Sequence, residues 1–349
     1  MKRFITNLAA LLVLVIAIPN AVAQVSQAAV LFLLISPNAR AGGMGEAFVG
    51  MADDASAIYW NPGGLAFQEG KQFTSMYSKW LPQFNLDDLY FLFGAYRQSV
   101  EGLGTIGVNV TYINLGEQII TDETGPDPIG TFNSNEWALT LSYSTLLSET
   151  FGLGLNIRYI RSNLSSVGAG AEKGDGQANA FAVDVGILKK SFLTKRLSLG
   201  VNVSNIGPKI TFVDASQADP LPTNLRLGFA YRLLDQEFNK LTIVADMNKL
   251  LVHKNEDGTS DPLIKAFITS WSTNEPNKGI IYNFGAEYWY ANLIALRAGY
   301  NWDEAGKSNY LTVGAGLRYS IYQFDFGYIS AAENHPLSNT MRFSLTIGK

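Results

Sequence analysis

From Lys71 onward the chain alternates apolar and polar positions with a period of two. Across residues 151–159, Leu153, Leu155, Ile157 and Tyr159 point one way, and Gly152, Gly154, Asn156 and Arg158 the other. Leu311, Val313, Ala315, Leu317 and Tyr319 oppose Thr312, Gly314, Gly316 and Arg318. Met341, Phe343, Leu345 and Ile347 oppose Arg342, Ser344 and Thr346. Helical spacing does not explain these windows, whereas a strand with one apolar face does. About 14 such segments recur, each near the length a tilted membrane strand needs. They fall at 71–80, 88–97, 104–114, 135–145, 151–163, 178–188, 196–205, 223–233, 240–250, 280–290, 293–301, 310–319, 321–329 and 340–348.

The connections sort by parity. Residues 81–87, 115–134, 164–177, 206–222, 251–279, 302–309 and 330–339 tend to be long. Residues 98–103, 146–150, 189–195, 234–239 and 291–292, and a tight turn near Ser320, are short. Long external loops alternating with short periplasmic turns are expected of an outer-membrane barrel. The sequence therefore predicts an all-β fold, a transmembrane barrel of about 14 antiparallel strands, with both termini periplasmic. Tyr and Trp near strand ends, among them Tyr77, Trp80, Tyr112, Trp137, Tyr159 and Trp302, suit headgroup-level girdles.

The first residues read as an export signal. Lys2 and Arg3 precede an apolar run from Leu8 to Ile18, and Ala21-Val22-Ala23 places cleavage before Gln24. The run is too short for a spanning helix. Three regions follow: a signal peptide at 1–23, an N-terminal segment at 24–68, and the barrel at 69–349. The segment does not alternate. Its Gly, Ala, Asp and Asn content suits tight turns in a confined space, so a plug in the lumen is expected. Arg40, Met44, Gly45, Asp53, Asp54, Asn61 and Pro62 are its candidate residues.

Charge then fixes which strand face is inside. Only 16% of residues are charged, so their placement is informative. Arg158, Asp184, Arg226, Arg232, Asp246, Glu287, Arg297, Arg318, Asp325 and Arg342 all lie opposite the apolar face. An Arg turned to lipid would cost roughly 2–4 kcal/mol at midplane. Both signs occur, which predicts a lumen charge network rather than an ion-selective ring.

Catalytic chemistry is sparse. Cysteine is absent, which excludes thiolate sites and disulfides. Without Lys2 and Arg3, 24 of the 26 basic residues face 30 acidic ones, and no basic run suggests nucleic acid. Gly42 to Gly45 follow no parallel strand, so they are no dinucleotide fingerprint. Asp53 and Asp54 read as turn residues rather than a metal pair. The run from Asn255 to Asp261 lacks EF-hand spacing. His253 and His335 fall in predicted external loops with no supporting catalytic set. A non-enzymatic chain without cofactors is expected.

The run Arg40-Ala41-Gly42-Gly43-Met44-Gly45, with Ala52 to Ala55 and Asn61 to Leu65, resembles the start of FadL-like outer-membrane proteins. Leu139 to Ser144, Arg158 to Ser162, Asn205 to Ile210, Leu221 to Gly228, Asn248 to Val252 and Pro336 to Thr346 resemble the PorV (LptO) family, to which PorQ paralogues are related. The resemblance covers nearly the whole mature chain. It implies a FadL-like barrel of the type IX secretion system that binds cargo by a C-terminal secretion domain and carries it from translocon to surface attachment machinery. The implied partners are that translocon, the attachment complex, the cargo domains and outer-membrane lipids. Cargo is expected at the long loops, where Phe84, Phe267 and Trp271 are candidate anchors. The alternative is a FadL-like transporter of hydrophobic small molecules. The ending Thr346-Ile347-Gly348-Lys349 departs from the terminal aromatic of many barrels.

Overall fold

The computed structural model describes residues 28–348 except 85, 87, 123–124, 166–175, 213, 215–216, 256, 272–278, 305, 307 and 334. The expected signal peptide, 1–23, lies outside the described residues.

Strands β1 (Lys71–Lys79), β2 (Leu89–Val100), β3 (Gly104–Asp122), β4 (Gly125–Ser148), β5 (Phe151–Asn163), β6 (Gln177–Lys189) and β7 (Leu197–Ile206) form the first half. Strands β8 (Asn224–Asp235), β9 (Asn239–Leu250), β10 (Ile280–Tyr290), β11 (Ile294–Asp303), β12 (Tyr310–Tyr319), β13 (Tyr322–Ala331) and β14 (Met341–Gly348) form the second. Each pairs antiparallel with the next, and β1 pairs with β14 to close the barrel. Closure leaves no unpaired strand edge, which a bilayer requires.

Alternation decides the faces as the sequence indicates. Leu155, Ile157, Leu311 and Val313 are exposed on the outside, while Asn156, Arg158 and Thr312 are buried within. Rings form clusters on the outer face near the long-loop end. Tyr77 stacks on Tyr90 at 6.3 Å, Tyr90 meets Tyr112 at 6.0 Å, and Tyr159 lies between Trp137 and Phe181.

Three features differ from the sequence expectation. Residues 115–134 are not a free loop: β3 and β4 extend through much of this stretch as a paired ribbon, with a register shift between Asn114 and Glu117. Polar residues on both faces hid the strand period there. The first and last described stretches of the chain also do not share one end of the barrel. Gly348 lies at the short-turn end opposite Gln72, whereas Ala29 donates to Pro220 in the long connection after β7. The chain therefore passes through the interior before entering β1. Finally, Arg232 lies at the rim and pairs with Asp235 at 2.9 Å instead of entering the lumen. A register shift beside it ends the regular alternation of β8.

Candidate functional site

Residues 30–65 lie almost wholly buried inside the barrel. Short turns shape this interior segment. The Asn38 side chain accepts from Arg40 N at 2.9 Å and starts the helix Ala39–Gly42. Asn61 accepts from Gly63 N at 3.1 Å, ahead of the 3-10 turn Pro62–Phe67. Asn at the cap with Pro in the first turn sets the chain direction. Asp54 accepts from Ser56 N at 2.9 Å, the turn chemistry its position suggests.

The segment then bonds to strands around the circumference. Ala39 N donates to Ser344 Oγ on β14 at 2.8 Å, and Gly45 N to Thr312 Oγ1 on β12 at 2.8 Å. Phe48 N and Val49 N both donate to Asp246 Oδ2 on β9, at 2.6 and 2.9 Å. Asn61 Nδ2 reaches Ile187 O on β6 at 2.9 Å, and Asn156 Nδ2 on β5 reaches Ile58 O at 2.7 Å. Inward-facing glycines leave room for this backbone. A Cβ on Gly299 would stand 2.0 Å from Gly45 N, and one on Gly154 would stand 2.2 Å from the Pro62 carbonyl carbon.

The inward charges divide into groups. Arg40 Nε meets Glu287 Oε2 at 2.7 Å, and its Nη1 meets Asp53 Oδ1 at 2.7 Å and Asp54 Oδ2 at 3.3 Å. Glu287 also holds Arg297 at 2.7 Å, and Arg297 Nη1 lies 2.9 Å from Asp325. Arg342 pairs with Glu46 at 2.7 Å, a partner the sequence reading missed. Across the lumen, Arg158 pairs with Asp184 at 2.7 Å. The other Asp184 oxygen accepts from Asn205 N at 2.7 Å, bracing the irregular pairing of β6 with β7. Arg226 donates to Tyr59 Oη at 2.8 Å and lies over the Tyr59 and Trp60 rings. Arg318 bonds Gln323 and stacks 4.3 Å from the Trp289 ring centre. Met44 is fully buried in the apolar core with Phe48, Ile58 and Trp60.

At the long-loop end, Phe84 is exposed, Phe267 is half-buried, and Trp271 stands 5.6 Å from Lys249 Nζ in a cation–π contact. The helix Leu263–Thr269 carries more exposed apolar groups than these. Ile264 is 83% exposed and Ile268 is 72% exposed, one helical turn apart. Their i, i+4 spacing was readable in the sequence, but the larger ring of Phe267 drew the assignment. Asp261 braces this helix by bonding Lys265 at 2.7 Å and Thr269 at 2.8 Å. These bonds, with one from Asn255, hold its carboxyl down at about 2.

Folding also brings His335 within 2.9 Å of Ser308 Oγ through Nε2. The His335 Nδ1 accepts from Leu337 N at 3.1 Å, so in the neutral ring Nε2 carries the proton. That tautomer donates to the serine and cannot take its proton. Burial holds the imidazole below its usual value, which disfavours the charged ring. The pair therefore lacks the polarity of a nucleophile and base.

A closed 14-stranded barrel with an apolar outer face and a filled, charged interior is an outer-membrane barrel of the FadL type. Solved structures with this fold include the toluene transporter TbuX of Ralstonia pickettii, with a TM-score of 0.54 and 14% identity, covering 90% of this chain and 98% of that one. The toluene transporter TodX of P. putida is similar, with a TM-score of 0.54 and 13% identity, covering 90% of this chain and 99% of that one. At such identity the likeness is one of fold. A search of curated proteins finds no significant match. The chain belongs to the family of the type IX secretion system protein PorV, whose model matches residues 19–257. It is thus an outer-membrane component of that system.

Proposed function

We propose that this barrel is a cargo carrier. It binds proteins by their C-terminal secretion domain and moves them from the translocon to the attachment machinery on the cell surface. In this reading residues 24–68 act as a plug and residues 69–349 as the barrel, with the long loops outside and the short turns in the periplasm. The lumen charges lock the plug in place. The helix Leu263–Thr269, with Phe84 and Trp271, offers the apolar contact for cargo.

The observation that carries this reading is the interior segment, which is bonded to strands on all sides. A barrel filled this way offers partners its loop end rather than a pore. The family membership supplies the secretion system. A second reading, passage of a hydrophobic small molecule, is favoured by an apolar cavity of about 270 Å³ at the loop end, whose lining includes Pro208, Leu221, Leu251, Leu263 and Ala266. Against it, the lumen holds the buried side chains of Phe32, Leu33, Phe48 and Trp60.

Deleting the gene and comparing the culture medium and cell surface by mass spectrometry tests the proposal. Loss of proteins with C-terminal secretion domains from the surface, with accumulation inside, supports it. An unchanged secreted set sinks it and moves attention to uptake of hydrophobic compounds.

A further inference from the structure

The outer wall carries a groove of about 570 Å³ across β13, β14, β1, β2 and β3. Its floor is made where two small outward-facing residues, Ser75 and Gly94, sit opposite each other in mid-strand. Leu345 adjoins Ser75 on one side, and Val110 adjoins Gly94 on the other. One level nearer the loop end, Phe343, Tyr77, Leu92 and Tyr112 form the next row across β14, β1, β2 and β3. Leu345, Phe343 and Phe324 form one bank, and Val110 and Tyr112 the other. A Cβ added at Gly94 would meet nothing within 4 Å, so the space is open to the outside.

We propose that this groove seats an acyl chain of an outer-membrane lipid. Continuity with the lipid-facing wall argues for that occupant: the groove is a depression in a surface that is already against hydrocarbon. In a bilayer there is no hydrophobic gain in moving a chain from lipid to protein, so contact area decides. Small residues on the floor let a chain approach the backbone closely, and the flanking rings and branched side chains give it dispersion contacts on both sides. The loop-end margin sets the orientation. Tyr77, Tyr90 and Tyr112 form a run of rings at the loop-side margin, the level at which headgroups are expected. The chain therefore enters from the leaflet on the loop side and runs toward mid-membrane. The inference uses the outer-membrane fold and is independent of the cargo reading.

The test uses the full mature barrel reconstituted in phosphatidylethanolamine vesicles doped with a photoactivatable palmitoyl phosphatidylethanolamine. After irradiation, cross-linked residues are mapped by mass spectrometry. In the wild type, adducts at Leu92, Val110 and Phe343 should exceed those at Leu155 and Ile157 on the far wall several-fold. Gly94→Leu places a side chain in the groove from a position where its Cβ meets nothing within 4 Å, and should abolish the excess. Ser75→Leu should do the same from the neighbouring strand, and heat-modifiable migration verifies that each variant folds. Equal labelling of both walls in the wild type overturns the proposal. So does an excess that survives in folded Gly94→Leu and Ser75→Leu. Loss of a co-purifying membrane protein in these variants, with lipid labelling unchanged, also overturns it and assigns the groove to a protein contact.

Discussion

Arg40 and Glu287 form a two-pronged ion pair, Nε to Oε2 at 2.7 Å and Nη2 to Oε1 at 2.8 Å, which ties the interior segment to β10. Both side chains are buried, and Glu287 also neutralises Arg297. Removing the shared carboxylate leaves two buried guanidinium groups short of a partner. Breaking a buried pair from one side costs about 3–5 kcal/mol. Glu287→Ala should lower the denaturant midpoint of the folded barrel clearly. Arg40→Met should lower it as well: Glu287 keeps Arg297, but the buried Asp54 loses its cation. Equal midpoints for wild type and Glu287→Ala would show that the pair does not hold the segment.

Gly299 faces the backbone of Gly45, with no room for a side chain between them. Gly299→Val should push the interior segment from its seat. Single-channel recordings in planar bilayers should then show open events that are rare in the wild type. A variant as closed as the wild type would mean that the segment can shift without opening a path.

Leu155 and Asn156 are neighbours on opposite faces. Leu155→Arg places a charge against lipid and should reduce membrane assembly, at a cost of roughly 2–4 kcal/mol. Asn156 is not merely lumen-facing: it bonds Ile58 O and Asp184. Asn156→Arg should therefore also disturb the protein, but by displacing the interior segment. Heat-modifiable migration reads the first effect and conductance the second. Leu155→Arg assembling as well as the wild type would reverse the face assignment.

Ile264 and Ile268 project from the loop end. Replacing both with Ser should leave barrel folding unchanged while weakening capture of a purified cargo C-terminal domain by tenfold or so, the scale of about 1.4 kcal/mol. Undiminished capture would exclude this helix as the cargo contact.

The Asp261 carboxyl titrates at about 2, below its ordinary value, because Lys265, Thr269 and Asn255 bond its charged form. A depressed folded value means that the contribution is present above the ordinary carboxylate range. It is lost as pH falls toward 2. Amide protection factors over residues 263–269, taken relative to the intrinsic exchange rate at each pH, should fall across that window, and Asp261→Asn should remove the dependence. A loss of protection already complete above the ordinary carboxylate range would implicate another group.

The sequence by itself determined the barrel. Strict alternation, as in residues 151–159, specifies both the strand and its buried face, because a register slip of one residue would turn every side chain over. The charges at Arg158, Asp184 and Glu287 marked the inner face for the same reason. Loop parity and alternation together gave the strand number to within the reach of local pattern. The ribbon at 115–134 escaped because apolar and polar residues fall on both of its faces, as at the adjacent Ile119 and Ile120, so its pairing rests on backbone bonds that leave no period of two. Only the tertiary structure decided which charges meet: Arg40 finds Glu287 from 247 positions away, and Asp246 receives the Phe48 and Val49 amides from 198 and 197 positions away. The same holds for the glycines. Nothing in the local pattern sets Gly299 and Gly154 apart from other small inward-facing residues, yet the interior backbone lies directly against them. Such contacts are set by how a closed wall and the segment within it share one volume, and no local pattern encodes that.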